Sequence, residues 1–123
     1  MGNEFHGIII ENSLKDPLVL QAFSILSTRT TKDTVWKMHK VAIEEVELQK
    51  AVDLLQQNLK EGEPWYVHFY NGERLKIIFR DAVFDAKVAD KSTWRKAAEH
   101  GSKLKIPQEQ LDFGPCRFED ETW

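Results

Sequence analysis

Between Pro64 and Lys87 the chain holds two runs of alternating side chains joined by an Asn71-Gly72 pair. Alternation with a period of two indicates a β-strand whose two faces differ, and Asn-Gly is a frequent turn between paired strands. The stretch is therefore predicted to form a β-hairpin. Its register decides which side chains are buried, because a shift of one residue moves every side chain to the other face.

Two registers are open for this hairpin. A two-residue turn at Asn71-Gly72 pairs Val67 with Lys76 and places a charge among apolar side chains. A three-residue loop, with Gly72 in the left-handed position of a G1 bulge, pairs Val67 with Leu75 instead. Burial favours the three-residue loop. It predicts one apolar face formed by odd-numbered residues: Trp65, Val67, Phe69, Leu75, Ile77 and Phe79.

The even-numbered side chains then share the opposite, mixed face, which combines aromatic rings with cations. Rings of this kind can stack on planar groups, and cations bind phosphate or carboxylate. We predict that the mixed face is a ligand-binding site. Its candidate residues are Tyr66, His68, Tyr70, Arg74, Lys76 and Arg80. The alternative is a solvated sheet face whose long cationic stems cover apolar surface and discourage edge pairing.

The clearest helix is predicted from Glu44 to Glu61. Apolar residues recur at helical spacing and form one stripe. Several acidic residues lie in the first turn, where the helix dipole interacts favourably with carboxylates. The stripe consists of Leu48, Val52, Leu55 and Leu59. We predict that it packs against the apolar hairpin face, each buried hairpin side chain contributing about 1.5–3 kcal/mol before entropy is counted.

The remaining pattern completes an α+β chain. Strands are predicted over residues 5–11, 24–30 and 35–43, and a short strand or bulged extension ends near Lys87. A short helix begins at Pro17 with Asp16 as its N-cap. A second helix runs from Thr93 to His100, where Gly101 stops it. The predicted fold is a single two-layer domain, a mostly antiparallel sheet with one long and one or two short helices on one face. A split βαβ crossover would make its outline ferredoxin-like.

Composition indicates an ordinary globular protein. The chain has 123 residues, 41% of them hydrophobic and 30% charged, which favours one domain over residues 1–123, with an ordered core at about 4–113 and a tail at 114–123. No apolar run is long enough for a bilayer. The single cysteine and the lack of a visible secretory signal predict a cytoplasmic location without membrane attachment. The net charge of -3 disfavours nucleic-acid binding.

The usual catalytic motifs are missing from the sequence. There is no glycine-rich phosphate loop, no G-x-S-x-G and no H-E-x-x-H.

His6, His39 and His68 each fall on a predicted strand and would form a zinc-like site if the strands brought them together. The favoured interpretation is three unrelated histidines, so no metal and no cofactor are predicted. Cys116 lies near the chain end and is interpreted as an incidental thiol.

Two segments resemble parts of small, uncharacterised prokaryotic α+β proteins. They are Pro-Trp-Tyr…Ile-Ile-Phe-Arg-Asp-x-Val-Phe, starting at Pro64, and Ile-Pro-Gln-Glu-Gln-Leu-Asp-Phe, starting at Ile106. The likeness extends loosely from Phe5 to Phe113. It includes no motif of known chemistry, so it implies a free-standing cytoplasmic domain and no particular activity or functional residue.

Three functions are consistent with these observations. The favoured hypothesis is a non-catalytic binding or regulatory module whose mixed face engages a small anionic ligand or a protein partner, with a homodimer as one arrangement. The second is a small enzyme with a pocket between sheet and helices, using a histidine as acid or base or a metal site. The third is a weak RNA or single-strand binder, which the acidic net charge makes the least favoured.

Overall fold

The computed structural model describes residues 4–30, 36–60 and 65–106. Within them the strands are β1 (Glu4–Ile10), β2 (Ser24–Thr30), β3 (Lys37–Glu44), β4 (Tyr66–Tyr70), β5 (Arg74–Phe79) and β6 (Ala82–Lys87). The α-helices are α1 (Glu45–Asn58) and α2 (Arg95–Lys103), and 3₁₀ helices span Glu11–Ser13, Pro17–Ala22 and Lys91–Trp94. The strands form one antiparallel sheet in the order β2-β3-β1-β4-β5-β6. The predicted α+β class is confirmed.

Strand β1 lies in the middle of the sheet, as its β-branched composition predicts. Its side chains Phe5 and Ile9 are fully buried. It pairs antiparallel with β3 on one side and with β4 on the other, so β3 and β4 are parallel to each other. Helix α1 connects those two strands, and the unit β3-α1-β4 is therefore a split βαβ crossover around β1. The ferredoxin-like outline itself stays a prediction.

The start of the Pro17–Ala22 helix follows the predicted capping chemistry. The Leu18 N–H donates to Asp16 Oδ1 over 3.0 Å, and Pro17 occupies the first helical position. The second helical segment ends differently from the prediction. Gly101 is buried inside α2, and the left-handed residue after the helix is Lys105, with φ of 68°. No helix in the described ranges is both long and apolar enough to cross a membrane.

The hairpin register differs from both predicted ones. Strands β4 and β5 pair Val67 with Ile78 and Phe69 with Lys76. The loop between them is Gly72-Glu73, since the Asn71 N–H donates to the Arg74 carbonyl over 3.2 Å. The Asn71 side-chain oxygen accepts from the N–H groups of Arg74 (2.7 Å) and Glu73 (3.1 Å). Gly72 has φ of 92°, which a residue without Cβ adopts without strain.

This register divides the predicted apolar face between the two sides of the sheet. On the side covered by α1, here called the α1 face, Val67 and Phe69 lie with Ile78. On the opposite side, the α2 face, Leu75, Ile77 and Phe79 pack with residues of α2 and its preceding turn, among them Trp94 and Ala97. The prediction of a single apolar hairpin face is wrong, because both sides of β5 are covered and Ile77, Ile78 and Phe79 are all fully buried.

The core on the α1 face contains the helix stripe predicted from sequence. The stripe residues Leu48, Val52, Leu55 and Leu59 are buried there together with Val67 and Phe69. The Pro17–Ala22 helix adds Val19 and Leu20 to the same core. The long helix and one short helix therefore share a face, as predicted, while α2 covers the other.

Gly7 is a point of close contact in this core. It lies directly opposite Phe69 in the β1–β4 ladder, and a Cβ at position 7 would come within 2.4 Å of the Phe69 ring. The ring therefore occupies the space that any other residue at position 7 would fill. Phe69 also stacks on Phe23 with ring centroids 6.2 Å apart, so it has little room to move away.

We expect Gly7→Ala to lower the free energy of unfolding by about 1–3 kcal/mol, the usual range for overpacking a core. Urea denaturation followed by circular dichroism measures the loss. The matched double variant Gly7→Ala/Phe69→Leu removes the clash. Its loss in free energy of unfolding should therefore be smaller than the sum of the losses of the two single variants. Strict additivity of the two substitutions would contradict the contact.

Candidate functional site

The six residues of the predicted mixed face do not share a surface. Tyr66, His68 and Tyr70 of β4 lie on the α2 face, whereas the β5 register places Arg74 and Lys76 on the α1 side. The error follows from the register, since even-numbered residues of β4 pair with odd-numbered residues of β5. Tyr70 is also buried, at 3% exposure. The single mixed face is therefore wrong as geometry.

The cations of that set have partners of their own. Lys76 Nζ lies 2.9 Å from Asp85 Oδ1, on the facing residue of β6. Arg74 forms an ion pair with Glu45 at the start of α1, and its guanidinium carbon is 5.2 Å from the centre of the Phe5 ring. Arg80 is exposed in the turn after β5. Ligand binding by these residues stays a prediction, and the structure gives it no common surface.

The aromatic members remain together on β4. The His68 ring lies between Tyr66 and Tyr70, with centroids 6.2 Å and 5.8 Å away. His6 of β1 meets Tyr70 edge to face at 6.4 Å. Burial lowers the pKa of His68 from 6.5 to about 4, because low-dielectric surroundings disfavour the imidazolium. At neutral pH the His68 imidazole is therefore an uncharged member of the aromatic stack and not an anion-binding cation.

The three histidines considered as metal ligands are not brought together. His6 and His68 lie on the α2 face, where His6 is opposite Tyr70 and His68 is opposite Ile77. His39 is opposite Ile9 and so belongs to the α1 face. In the described ranges no three His, Cys, Asp or Glu side chains are grouped to hold a metal ion. Cys116 lies outside the described residues.

A cavity of about 570 Å³ opens between α1, the Pro17–Ala22 helix and the ends of β2 and β3. This volume is in the range of small-molecule sites, which are roughly 300–1,000 Å³. Its apolar lining includes Phe23, Ala42, Ile43, Ala51 and Leu54. Phe23, Ala42 and Ala51 are buried, so the apolar part of the lining is held by the core and is already formed.

Carboxylates line the same cavity. Glu4, Glu44 and Glu47 contribute three negative charges and Lys50 one positive charge, which leaves two negative charges in excess. Glu4 and Glu44 are directly opposite each other in the β1–β3 ladder. Like charges facing each other in a sheet are destabilising, because their repulsion is not compensated. The lining therefore favours a positively charged group.

The positions of these carboxylates follow from the elements that carry them. Glu44 ends β3 and is the N-cap residue of α1, although its side chain makes no capping hydrogen bond. Glu47 lies in the first turn of α1, where the helix dipole favours a negative charge. The sequence signals the acidic helix start, but it contains no signal that Glu4 of the central strand would face it.

Comparison with known proteins gives no relative. No protein-family model, curated protein sequence or solved structure matches this chain. The resemblance to small prokaryotic α+β proteins therefore stays a prediction.

We expect His68 to make the stability of the protein pH-dependent between pH 6.5 and 4. In that window the unfolded chain binds a proton at His68 that the folded chain does not, so the free energy of unfolding falls as the pH falls. Full stability from this group is present above pH 6.5. Because the side chain keeps some solvent contact, the loss should stay below the roughly 3 kcal/mol that the two pKa values would give.

Urea denaturation at pH 7 and pH 4.5 tests this, with His68→Phe as the variant that keeps the ring but cannot be protonated. The wild-type protein should lose more stability between the two pH values than His68→Phe does. A surface variant that removes no histidine, such as Lys96→Gln, should behave like the wild type. Parallel losses in wild type and His68→Phe would show that the folded protein tolerates the imidazolium.

Proposed function

We propose that this protein is a small-molecule binding module and that the cavity beside α1 is its site. The observation that carries the proposal is an apolar lining, whose members Phe23, Ala42 and Ala51 are buried, with an excess of carboxylates around it. Such a site suits an amphipathic cation, an ammonium group attached to an aliphatic or aromatic body. The body would lie against Phe23 and Leu54 while the ammonium meets Glu44 and Glu47.

The preference for a cation rests on the charges left without protein partners. Within the described residues the side chains of Glu44 and Glu47 form no ion pair or hydrogen bond, and Glu4 approaches only His6, at 3.9 Å. Hydrogen bonds between an ammonium and a carboxylate are about twice as strong as those between neutral groups. A bound cation would also remove the repulsion between Glu4 and Glu44.

This proposal keeps the binding function predicted from sequence but changes its site and the charge of its ligand. The anionic ligand predicted from sequence requires cations beside the aromatic residues of β4, but Arg74 and Lys76 lie on the other side of the sheet and are paired with Glu45 and Asp85. A cytoplasmic location remains part of the proposal, supported by the single cysteine of the chain.

We expect phenethylammonium, used as a probe, to shift the amide NMR signals of the cavity lining. The neutral isostere 2-phenylethanol and the anion 3-phenylpropanoate should bind at least tenfold more weakly, because neither supplies a cation to the carboxylates. Glu44→Gln/Glu47→Gln should weaken phenethylammonium binding by about tenfold. Ala22→Trp, placed at the exposed rim of the cavity, should abolish it.

Glu99→Gln on the exposed surface of α2 is the matched control for charge, and it should leave the affinity unchanged. Equal binding of the alcohol and the ammonium, or unchanged affinity in the double glutamine variant, would overturn the cationic class of ligand. If neither the probes nor their analogues shift any lining residue, the cavity is not a site of this kind.

A further inference from the structure

Thr28, His39 and Glu11 form a hydrogen-bonded chain on the α1 face that the proposed binding function does not use. Thr28 Oγ1 lies 2.9 Å from His39 Nδ1, and His39 Nε2 lies 3.1 Å from Glu11 Oε1. Three different elements supply the residues, β2, β3 and the 3₁₀ helix after β1. A hydroxyl, an imidazole and a carboxylate in series are the groups that activate a nucleophile in acyl transfer.

The direction of the hydrogen bonds follows from the chemistry of the end groups. An ionised carboxylate only accepts hydrogen bonds, so Glu11 holds the proton of neutral His39 on Nε2. Nδ1 then carries a lone pair and faces Thr28, whose hydroxyl must be the donor. The imidazole is therefore set to accept the Thr28 proton, the role of a general base.

The base is buried, whereas the nucleophile is exposed. The His39 side chain is only 6% exposed and the Glu11 side chain 32%, so the base is held in one position and shielded. Thr28 is exposed on β2, which is the edge strand of the sheet in the described part of the chain. Its hydroxyl can be reached by a substrate, and unpaired backbone N–H groups along a strand edge can stabilise a developing oxyanion.

A second histidine–carboxylate pair shows what is particular to this chain. His100 Nε2 lies 2.8 Å from Asp81 Oδ1, but within the described residues no hydroxyl side chain is bonded to its other ring nitrogen. The hydrogen-bonded chain of His39 thus includes the Thr28 hydroxyl, which a purely structural pair of histidine and carboxylate does not require. Thr28 is exposed, and its hydroxyl lies within hydrogen-bond distance of the imidazole.

We propose that Thr28, with His39 as general base and Glu11 as the positioning residue, accepts acyl groups from activated acyl esters. Thr28 Oγ1 attacks the carbonyl carbon and its proton passes to His39 Nδ1. The bond between carbonyl carbon and leaving oxygen breaks, and the leaving group takes that proton as an alcohol. Water, activated by the same imidazole, then hydrolyses the acyl-threonine to a carboxylic acid and restores the hydroxyl.

The test is acetylation by p-nitrophenyl acetate, with the site found by peptide mass spectrometry and the rate followed by p-nitrophenolate release. The wild-type protein should carry an acetyl group on Thr28. Its formation should be at least roughly 100-fold slower in His39→Gln, the usual range for loss of a general base. Thr28→Val should lose the adduct and Thr28→Ser should retain it.

Thr30→Val is the matched control, since Thr30 lies two residues along the same exposed strand but faces Lys37 and not a histidine. It should react like the wild type. Glu11→Gln should slow acetylation less than His39→Gln, and it serves as the second variant if His39→Gln fails to fold. A wild-type protein that neither carries an acetyl group on Thr28 nor releases p-nitrophenolate faster than Thr28→Val overturns the proposal, and so does a rate that neither His39→Gln nor Glu11→Gln lowers.

Discussion

The contact between the Phe69 ring and the backbone of Gly7 holds the centre of the molecule together. The ring lies over the middle strand of the sheet at a distance that leaves no space for a Cβ. It also stacks on Phe23, the C-cap residue of the Pro17–Ala22 helix. Three parts of the chain that are distant in sequence are thereby joined. Since Phe23 also lines the cavity, the shape of the cavity depends on the same contact.

The elements that could be predicted from sequence are those whose signals are local. The bounds of β2, the buried character of β1 and the apolar stripe of α1 follow from residues inside each element. The hairpin register does not, because it depends on what covers the second face. An alternation of apolar and polar residues suggested one solvated side, but Ile77, Ile78 and Phe79 form an uninterrupted run, and such runs are typical of strands buried on both sides.

The candidate sites depended even more on information from outside each element. The predicted register places Lys76 on one face with Tyr66 and His68, whereas the observed register separates them, although the alternation within each strand is as predicted. The carboxylates of the cavity and the partners of His39 meet only through strand pairing. Glu4 reaches Glu44, and Thr28 reaches His39, because β3 lies between β1 and β2. The sequence alone contains these residues, but it does not show that the strand order brings them close together.

Strand β3 connects the cavity and the Thr28 chain while keeping them apart. Glu44 at its end belongs to the cavity and His39 lies near its start, and at about 3.3 Å per residue the two are separated by roughly 16 Å. Strand β2 runs beside both, and its pairing with β3 shifts between Ile25 and Ser27. Bulges of this kind re-aim side chains and are frequent beside functional sites. Here the bulge allows Leu26 to line the cavity while Thr28 keeps its place opposite His39, so a change in either site need not disturb the other.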